Sequence, residues 1–278
     1  MDLIVARNRE DLVKARSGGD VALVPTMGAL HEGHRSLIRL ARSRADQVVV
    51  SVFVNPLQFG PNEDFSRYPR TFEADLEVCR AEGVDVVLHP SAEDMYRPDR
   101  QVSVLAGRMG EIVEGASRPG HFDGVLTVVL KLFNLVQPRV AVFGQKDAQQ
   151  LALIRRMVAD LDVPVEIVGA PTVREPDGLA LSSRNRYLSA EDRQVALALS
   201  RALRAGEAAT TPGAVRAAAR EVLAAAGPAL DVDYLALVDP ATFAEVGEEH
   251  TGEAVLAVAA RVGATRLIDN VILTLNPA

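Results

Sequence analysis

Short apolar runs alternate with amphipathic stretches along the first two-thirds of the chain. Residues 21–25, 48–54, 84–88, 140–143 and 165–168 are rich in Val, Leu and Ile and leave almost no polar face. Strands of that kind are buried on both sides, as in a parallel sheet covered by helices. Between them, residues 33–45, 72–82, 122–137 and 147–160 carry apolar positions at helical spacing. Strand and helix in alternation, joined by right-handed crossovers, predict a Rossmann-like, doubly wound α/β domain.

The pattern changes after residue 172. Ser189-Ala-Glu-Asp192 reads as a capping box opening a long Ala/Leu/Arg helix. Thr211-Pro212 opens a second, with proline at the first helical position. Three strand candidates follow, at 232–238, 254–260 and 265–275. Helices and then strands predict a smaller C-terminal α+β domain. The expected division is therefore 1–172 and 173–278. Residues 172–189, with Pro, Gly, Ser and Arg, are the expected hinge and lid.

Composition narrows the partners. Of 278 residues, 48% are hydrophobic and 24% charged, an ordinary globular balance able to bury a core without staples. Lys and Arg number 30 against 37 Asp and Glu, for a net charge of −7. Such a chain has no overall attraction for nucleic acid or anionic lipid, so any anion must be held by a local site. The single cysteine, Cys79, cannot form an internal disulfide and reads as a small apolar helix residue. Charges break the apolar run of MDLIVARNREDL, unlike a signal peptide. The longest apolar segment, 125–136, is interrupted by Lys131 and Asn134 and falls short of the roughly 20 residues a bilayer needs. A cytoplasmic protein is expected, with no nucleic-acid or membrane partner.

The candidate chemistry lies where predicted strands end. Val21-Ala-Leu-Val-Pro-Thr-Met-Gly-Ala-Leu-His-Glu-Gly-His34 runs from strand through tight loop to helix start. Helix N-terminal amides favour an anion there. His31 and His34, three apart, share one face and are placed to donate to phosphate oxygens. Gly33 between them is expected to let a flat base approach the backbone. Zinc would call for histidines four apart in the H-E-x-x-H pattern. Neither a P-loop nor a G-x-G-x-x-G fingerprint occurs, so phosphate handling falls to the histidines.

Four further stretches matter. In Phe143-Gly-Gln-Lys-Asp-Ala-Gln-Gln150, Gly144 allows close backbone approach and Lys146 is a mobile cation for phosphate. Asp147 suits a ribose hydroxyl, and Gln149 and Gln150 start a helix. Leu181-Ser-Ser-Arg-Asn185 offers Ser182, Ser183 and Arg184 to a triphosphate. In Val52-Phe-Val-Asn-Pro-Leu-Gln-Phe59, Asn55 and Gln58 either clamp a small polar substrate or build a turn. In Glu114-Gly-Ala-Ser-Arg-Pro-Gly-His-Phe-Asp-Gly124, Arg118 and His121 either act directly or cap the helix that follows. Tyr68-Pro-Arg-Thr71 and Asp75 lie near a possible substrate mouth. His89 and His250 have no evident role.

Together these stretches closely resemble the pantothenate synthetase (pantoate–β-alanine ligase) family. P-T-M-G-A-L-H-E-G-H (25–34), F-V-N-P-L-Q-F (53–59), R-P-G-H-F-D-G-V (118–125), G-Q-K-D-A-Q-Q-L (144–151) and L-S-S-R-N-R-Y-L (181–188) occur in that family's order and spacing. The resemblance implies an ATP-binding Rossmann-like domain, a C-terminal lid and a homodimer. It implies ligation of pantoate and β-alanine with ATP and Mg²⁺. Met27, Gly28, His31, Gly33, His34, Gly144, Gln145, Lys146, Asp147, Val173, Leu181, Ser182, Ser183 and Arg184 would line the ATP site. His34 would take a proton-donor role, alongside His31, Lys146 and Arg184 as catalytic residues. Gln58 and Gln150 would hold pantoate, with Asn55, Arg118 and His121 nearby. The chain departs from the family's common pattern at Gln145 (often Glu), Leu181 (often Met) and Ala74, which leaves Asp75 alone as a candidate Mg²⁺ ligand.

The expected reaction has two steps, through a pantoyl adenylate. A different H-x-G-H nucleotidyltransferase would transfer a nucleotide without ligation. A non-catalytic module would bind nucleotide and release no pyrophosphate.

Overall fold

The computed structural model describes residues 3–16, 18–61 and 63–276. Strand β1 (Ile4–Ala6) and helix α1 (Arg9–Ala15) open the chain. β2 (Val21–Thr26), α2 (Glu32–Arg42), β3 (Gln47–Val52), α3 (Phe72–Ala81) and β4 (Val86–Leu88) follow. Two four-residue helices, α4 (Ala92–Met95) and α5 (Glu114–Ser117), precede the long α6 (His121–Val136). β5 (Val140–Gly144), α7 (Ala148–Asp160) and β6 (Glu166–Ala170) complete the first sheet. α8 (Ala190–Glu207), α9 (Pro212–Ala225), β7 (Leu230–Val238), β8 (Gly252–Val262) and β9 (Thr265–Leu275) make the C-terminal part.

The first sheet is parallel, in the order β1-β4-β3-β2-β5-β6. Its strands are buried because helices cover both faces. One face packs Leu23, Val49 and Phe143 against α1, α6 and α7, and the other packs Ala22, Val50 and Val142 against α2 and α3. The order in which strands are added reverses between β2 and β5, the position where such sheets bind ligands. The ladder there is short. β2 pairs with β3 over six residues, but with β5 only at Ala22–Val140 and Leu23–Ala141. Pro25, with no N–H to give, sits where the β5 ladder has already ended. The strand ends part, and a cavity opens between them.

The second sheet is antiparallel, β7-β8-β9. Along β8, Leu256, Val258 and Ala260 face α8 and α9, while Val255 and Ala257 pack with Ala152 of α7 and with Phe243. The sheet is thus buried on both faces, and its outer layer is the first domain. Ser189 caps α8 by accepting from Asp192 N at 3.0 Å, and Pro212 stands at the start of α9.

The sequence reading misses β1, α1 and the four-residue helices α4 and α5, which are short and carry little periodicity. Otherwise predicted boundaries shift by at most three residues. The largest shift is in α2, which ends at Arg42, not at 45. There the Ser43 amide turns back to the carbonyls of Arg39 and Ala41.

One close approach sets the site. α6 lies against the 56–58 turn, and a Cβ on Gly124 would overlap the Leu57 carbonyl. That spacing lets Gly124 O accept from Asn55 Nδ2 at 3.1 Å. Gly124→Ala should therefore force the turn away from the helix. We expect a loss of about 1–3 kcal/mol in urea unfolding, typical of overpacking. An unchanged midpoint would mean the contact is soft.

Candidate functional site

The parted ends of β2 and β5 lead into a cavity of about 250 Å³. Its walls include Met27, His31, Gly33 and His34 on one side and Gly144, Lys146, Asp147 and Gln150 on another. Val173, Leu181, Ser182, Ser183 and Arg184 close it from the crossing segment. Asn55, Gln58, Arg118 and His121 form its far end. Five separate sequence stretches thus meet in one space.

The two histidines are fixed by the backbone they cap. His31 is the N-cap of α2, and its Nδ1 accepts from Gly33 N at 3.2 Å. His34 Nδ1 accepts from His31 N, also at 3.2 Å. With both Nδ1 atoms acting as acceptors, each neutral ring carries its proton on Nε2. The rings stack tilted, with centroids 4.1 Å apart. Burial is the main cause that lowers both pKa values, to about 4 for His31 and about 3 for His34. Lys146 lowers both further, and His31 lowers His34. Near neutral pH the cavity therefore meets two uncharged N–H donors. A Cβ on Gly33 would lie 2.9 Å from the His31 ring, so its bareness also accommodates His31.

Asp75 has a different place from the one expected. It lies outside the cavity walls, on α3, beneath the 27–30 loop. Its carboxylate accepts from Ala29 N at 3.1 Å and Leu30 N at 2.8 Å, with Thr71 Oγ1 at 3.3 Å. Gly28 (φ +81°) and Ala29 (φ +50°) bend that loop, and Asp75 holds the bend. Burial raises its pKa, opposed by these hydrogen bonds. Among the described residues no group of three His, Cys, Asp or Glu side chains is disposed to hold a metal. Asp147 is the one carboxylate among the cavity residues described.

At the far end, Gln58 is aimed by its neighbours. Asn55 Nδ2 donates to Gln58 Oε1 at 3.0 Å, and Asn55 Oδ1 accepts from Leu57 N and from the Tyr96 hydroxyl. Asn55 is therefore occupied on both ends, as a turn builder. With its oxygen engaged, Gln58 turns its NH₂ toward the cavity, where Met27 Sδ at 3.2 Å is a weak acceptor. Arg118 and His121 hold the same residue by its backbone. Arg118 Nη1 donates to His121 Nε2 at 3.0 Å, so His121 carries its proton on Nδ1 and donates to Gln58 O at 2.8 Å. Glu63 grips Arg118 with two hydrogen bonds of 2.7 Å. Burial and then Arg118 lower the His121 pKa to about 4.

The cations differ in freedom. Arg184 is paired with both oxygens of Asp64, at 2.9 and 3.0 Å, and lies over Tyr68. Lys146 has no ion pair among the described residues. Gly28 and Gln145 lie outside the cavity walls; Gly28 shapes the loop, and the Gln145 carbonyl faces β9. Sequence reasoning missed Ser51, whose buried hydroxyl lacks a partner, and the apolar wall of Val125, Val128, Val129 and Leu132 on α6. The all-round apolar pattern of α6 was the available signal. Cys79 is buried, and burial pushes its thiol up to about 12. His89 stacks on Phe72 and bonds to Val52 O, away from the cavity. No described helix is long and apolar enough to cross a membrane.

The three histidines make a pH prediction. Their folded pKa values lie below the ordinary 6.5. The unfolded chain takes up protons as pH falls through about 6.5, while the folded protein stays neutral until about 4. Their stabilising contribution is thus full above that range and lost as pH falls through it. His121→Gln should lower the slope of unfolding free energy against pH, between about 6.5 and 4.5, by close to one proton. An unaltered slope would show that His121 titrates as an exposed imidazole.

Comparison with known proteins gives concordant matches. A family model described as pantoate-beta-alanine ligase matches residues 4–272. A pantothenate synthetase of Thermobifida fusca is 64% identical, covering 98% of this chain and 96% of its own. One from Acidothermus cellulolyticus is 60% identical, covering 96% and 90%. The crystal structure of pantothenate synthetase from Thermus thermophilus superposes with a TM-score of 0.91 at 48% identity, covering 96% of this chain and 98% of the other. That of pantoate-beta-alanine ligase from Francisella tularensis, complexed with beta-gamma ATP and beta-alanine, gives 0.80 at 34%, covering 98% of each.

Proposed function

The chain belongs to the pantoate–β-alanine ligase family, and from that premise we propose that it joins pantoate to β-alanine through a pantoyl adenylate. Family membership sets aside the non-catalytic module considered from sequence. The observation that carries the mechanism is the convergence of two neutral Nε2–H donors and the unpaired Lys146 ammonium on one cavity, with the Gln58 NH₂ at its far end.

In the first step a pantoate carboxylate oxygen attacks the α-phosphorus of ATP. The new P–O bond forms as the bridging bond to the β-phosphorus breaks, and pyrophosphate leaves. His31 and His34 donate to α-phosphate oxygens, and Lys146 balances the growing charge. His34 is read here as a hydrogen-bond donor, not the proton donor that the resemblance implied. A neutral imidazole would have to become an imidazolate to give up its proton. In the second step the β-alanine amine attacks the acyl carbon, the C–N bond forms as the C–O bond of the mixed anhydride breaks, and AMP leaves with that bridging oxygen. The amine proton passes to phosphate or water. Residues 181–184 close over the adenylate and keep water from it.

Gln58 and Gln150 would hold the acid. Gln58 offers its NH₂ to an oxygen of pantoate, and the α6 valines and Leu132 face its methyl groups. Arg118 and His121 act through Gln58, as positioning residues. Asp147 would take a ribose hydroxyl. Mg²⁺ would supply charge on the triphosphate, held by phosphate oxygens and water, since the cavity offers only Asp147 among the described carboxylates. The reading divides the chain near residue 172, with 1–172 binding substrates and 173–278 covering them. It includes a cytoplasmic homodimer, as the family resemblance implies.

The test is pyrophosphate release with ATP and pantoate, with and without β-alanine. Pyrophosphate should appear without the amine in one turnover, and AMP only with it. His34→Ala should fold normally and lose about 10²–10³ in rate, the usual cost of one preorganised donor. A folded variant releasing pyrophosphate at the parental rate would remove His34 from the phosphate site.

A further inference from the structure

The turn that carries Lys146 is held from the other domain. Asn270 is buried on β9, and its Nδ2 donates to Gln145 O at 2.9 Å and to Lys146 O at 2.8 Å. A carboxamide nitrogen has two protons, and both are used here on successive carbonyls. Those carbonyls belong to the two peptide planes on either side of the Lys146 Cα. Fixing both planes fixes φ and ψ at Lys146, and with them the direction of its Cα–Cβ bond. The lysine side chain has no ion pair of its own among the described residues, so its aim depends on the backbone.

Asn270 is itself anchored. Asp269 Oδ1 accepts from Asn270 N at 2.8 Å, and Arg174 grips the Asp269 carboxylate at 2.6 and 2.9 Å. Arg174 Nη2 also donates to Asn270 O at 3.3 Å. Arg174 follows Val173, which lines the main cavity. A second cavity of about 30 Å³, bordered by Lys146, Asp147, Asp269 and Asn270, adjoins the turn. The turn therefore has space to move if the carboxamide is lost.

We propose that Asn270 is a positioning residue for Lys146, clamping the two peptide planes around it so that the C-terminal sheet aims the phosphate-binding cation. The inference rests on the reading that Lys146 acts on the phosphates. It makes the C-terminal domain a working part of the phosphate site as well as a cover.

The experiment measures single-turnover pyrophosphate release by full-length Asn270→Ala, Asn270→Leu, Lys146→Ala and the Asn270→Ala/Lys146→Ala double variant. Asn270→Leu is near-isosteric and has no donors, so it serves if the alanine variant folds poorly. Either Asn270 variant should slow adenylation about 10- to 100-fold, the scale of an ångström's misplacement. The KM for pantoate should stay within about twofold, because Gln58 and Gln150 are untouched. In the Lys146→Ala background the Asn270 change should cost nothing more. Folded Asn270 variants at the parental rate would overturn the proposal, and so would an equal loss in both backgrounds. A Lys146→Ala enzyme at the parental rate would instead overturn the role of Lys146 itself.

Discussion

The site depends on a ladder that stops early. β2 and β5 exchange hydrogen bonds at only two residue pairs, and then their ends part. Had the ladder continued, the loops after Thr26 and Gly144 would have packed against each other. Instead each carries its chemistry to a separate wall. Pro25 supports the parting, because it has no N–H to offer a neighbour. The reversal of strand order between these two parallel strands does the rest, sending helices to opposite faces and leaving the crevice uncovered.

Once the crevice exists, backbone amides decide the chemistry of its walls. The protons on His31, His34 and His121 are placed by an amide, an amide and a guanidinium respectively. Each ring has one nitrogen committed to structure. In the two capping histidines the other faces the cavity. In His121 the other grips the backbone of Gln58. The same residue type therefore supplies donors at one end and rigidity at the other.

Much of this was legible in the sequence. The strand and helix alternation gave the sheet, and strand-end motifs gave most of the cavity walls. What was not legible is which polar residue faces inward. Asp75 and Asn55 look like ligands in one dimension, yet each is used by nearby backbone or side-chain groups. Asp75 satisfies the amides of a loop 45 residues away, and Asn55 satisfies Gly124 O, 69 residues away. Long-range hydrogen bonds of this kind leave no periodic trace. Asn270 is hidden for the same reason. It lies in a strand whose pattern is explained by packing alone, and its partners are backbone carbonyls that have no sequence identity.

The distribution of cation partners bears on how such a site would handle a triphosphate. Arg118 is neutralised by Glu63, and Arg184 by Asp64, each through paired hydrogen bonds. Lys146 alone of the cavity's Lys and Arg side chains is left without an ion pair among the described residues. In the proposed reading a nucleotide first meets one free ammonium and two neutral donors. That is modest for so much negative charge. Arg184 can add its charge only by leaving Asp64. The exchange of a protein carboxylate for phosphate oxygens keeps the guanidinium paired throughout, which avoids leaving a half-buried cation alone. Asp64 belongs to the loop of residues 63–70 and Arg184 to the crossing segment, so that exchange would couple nucleotide binding to the contact between the two.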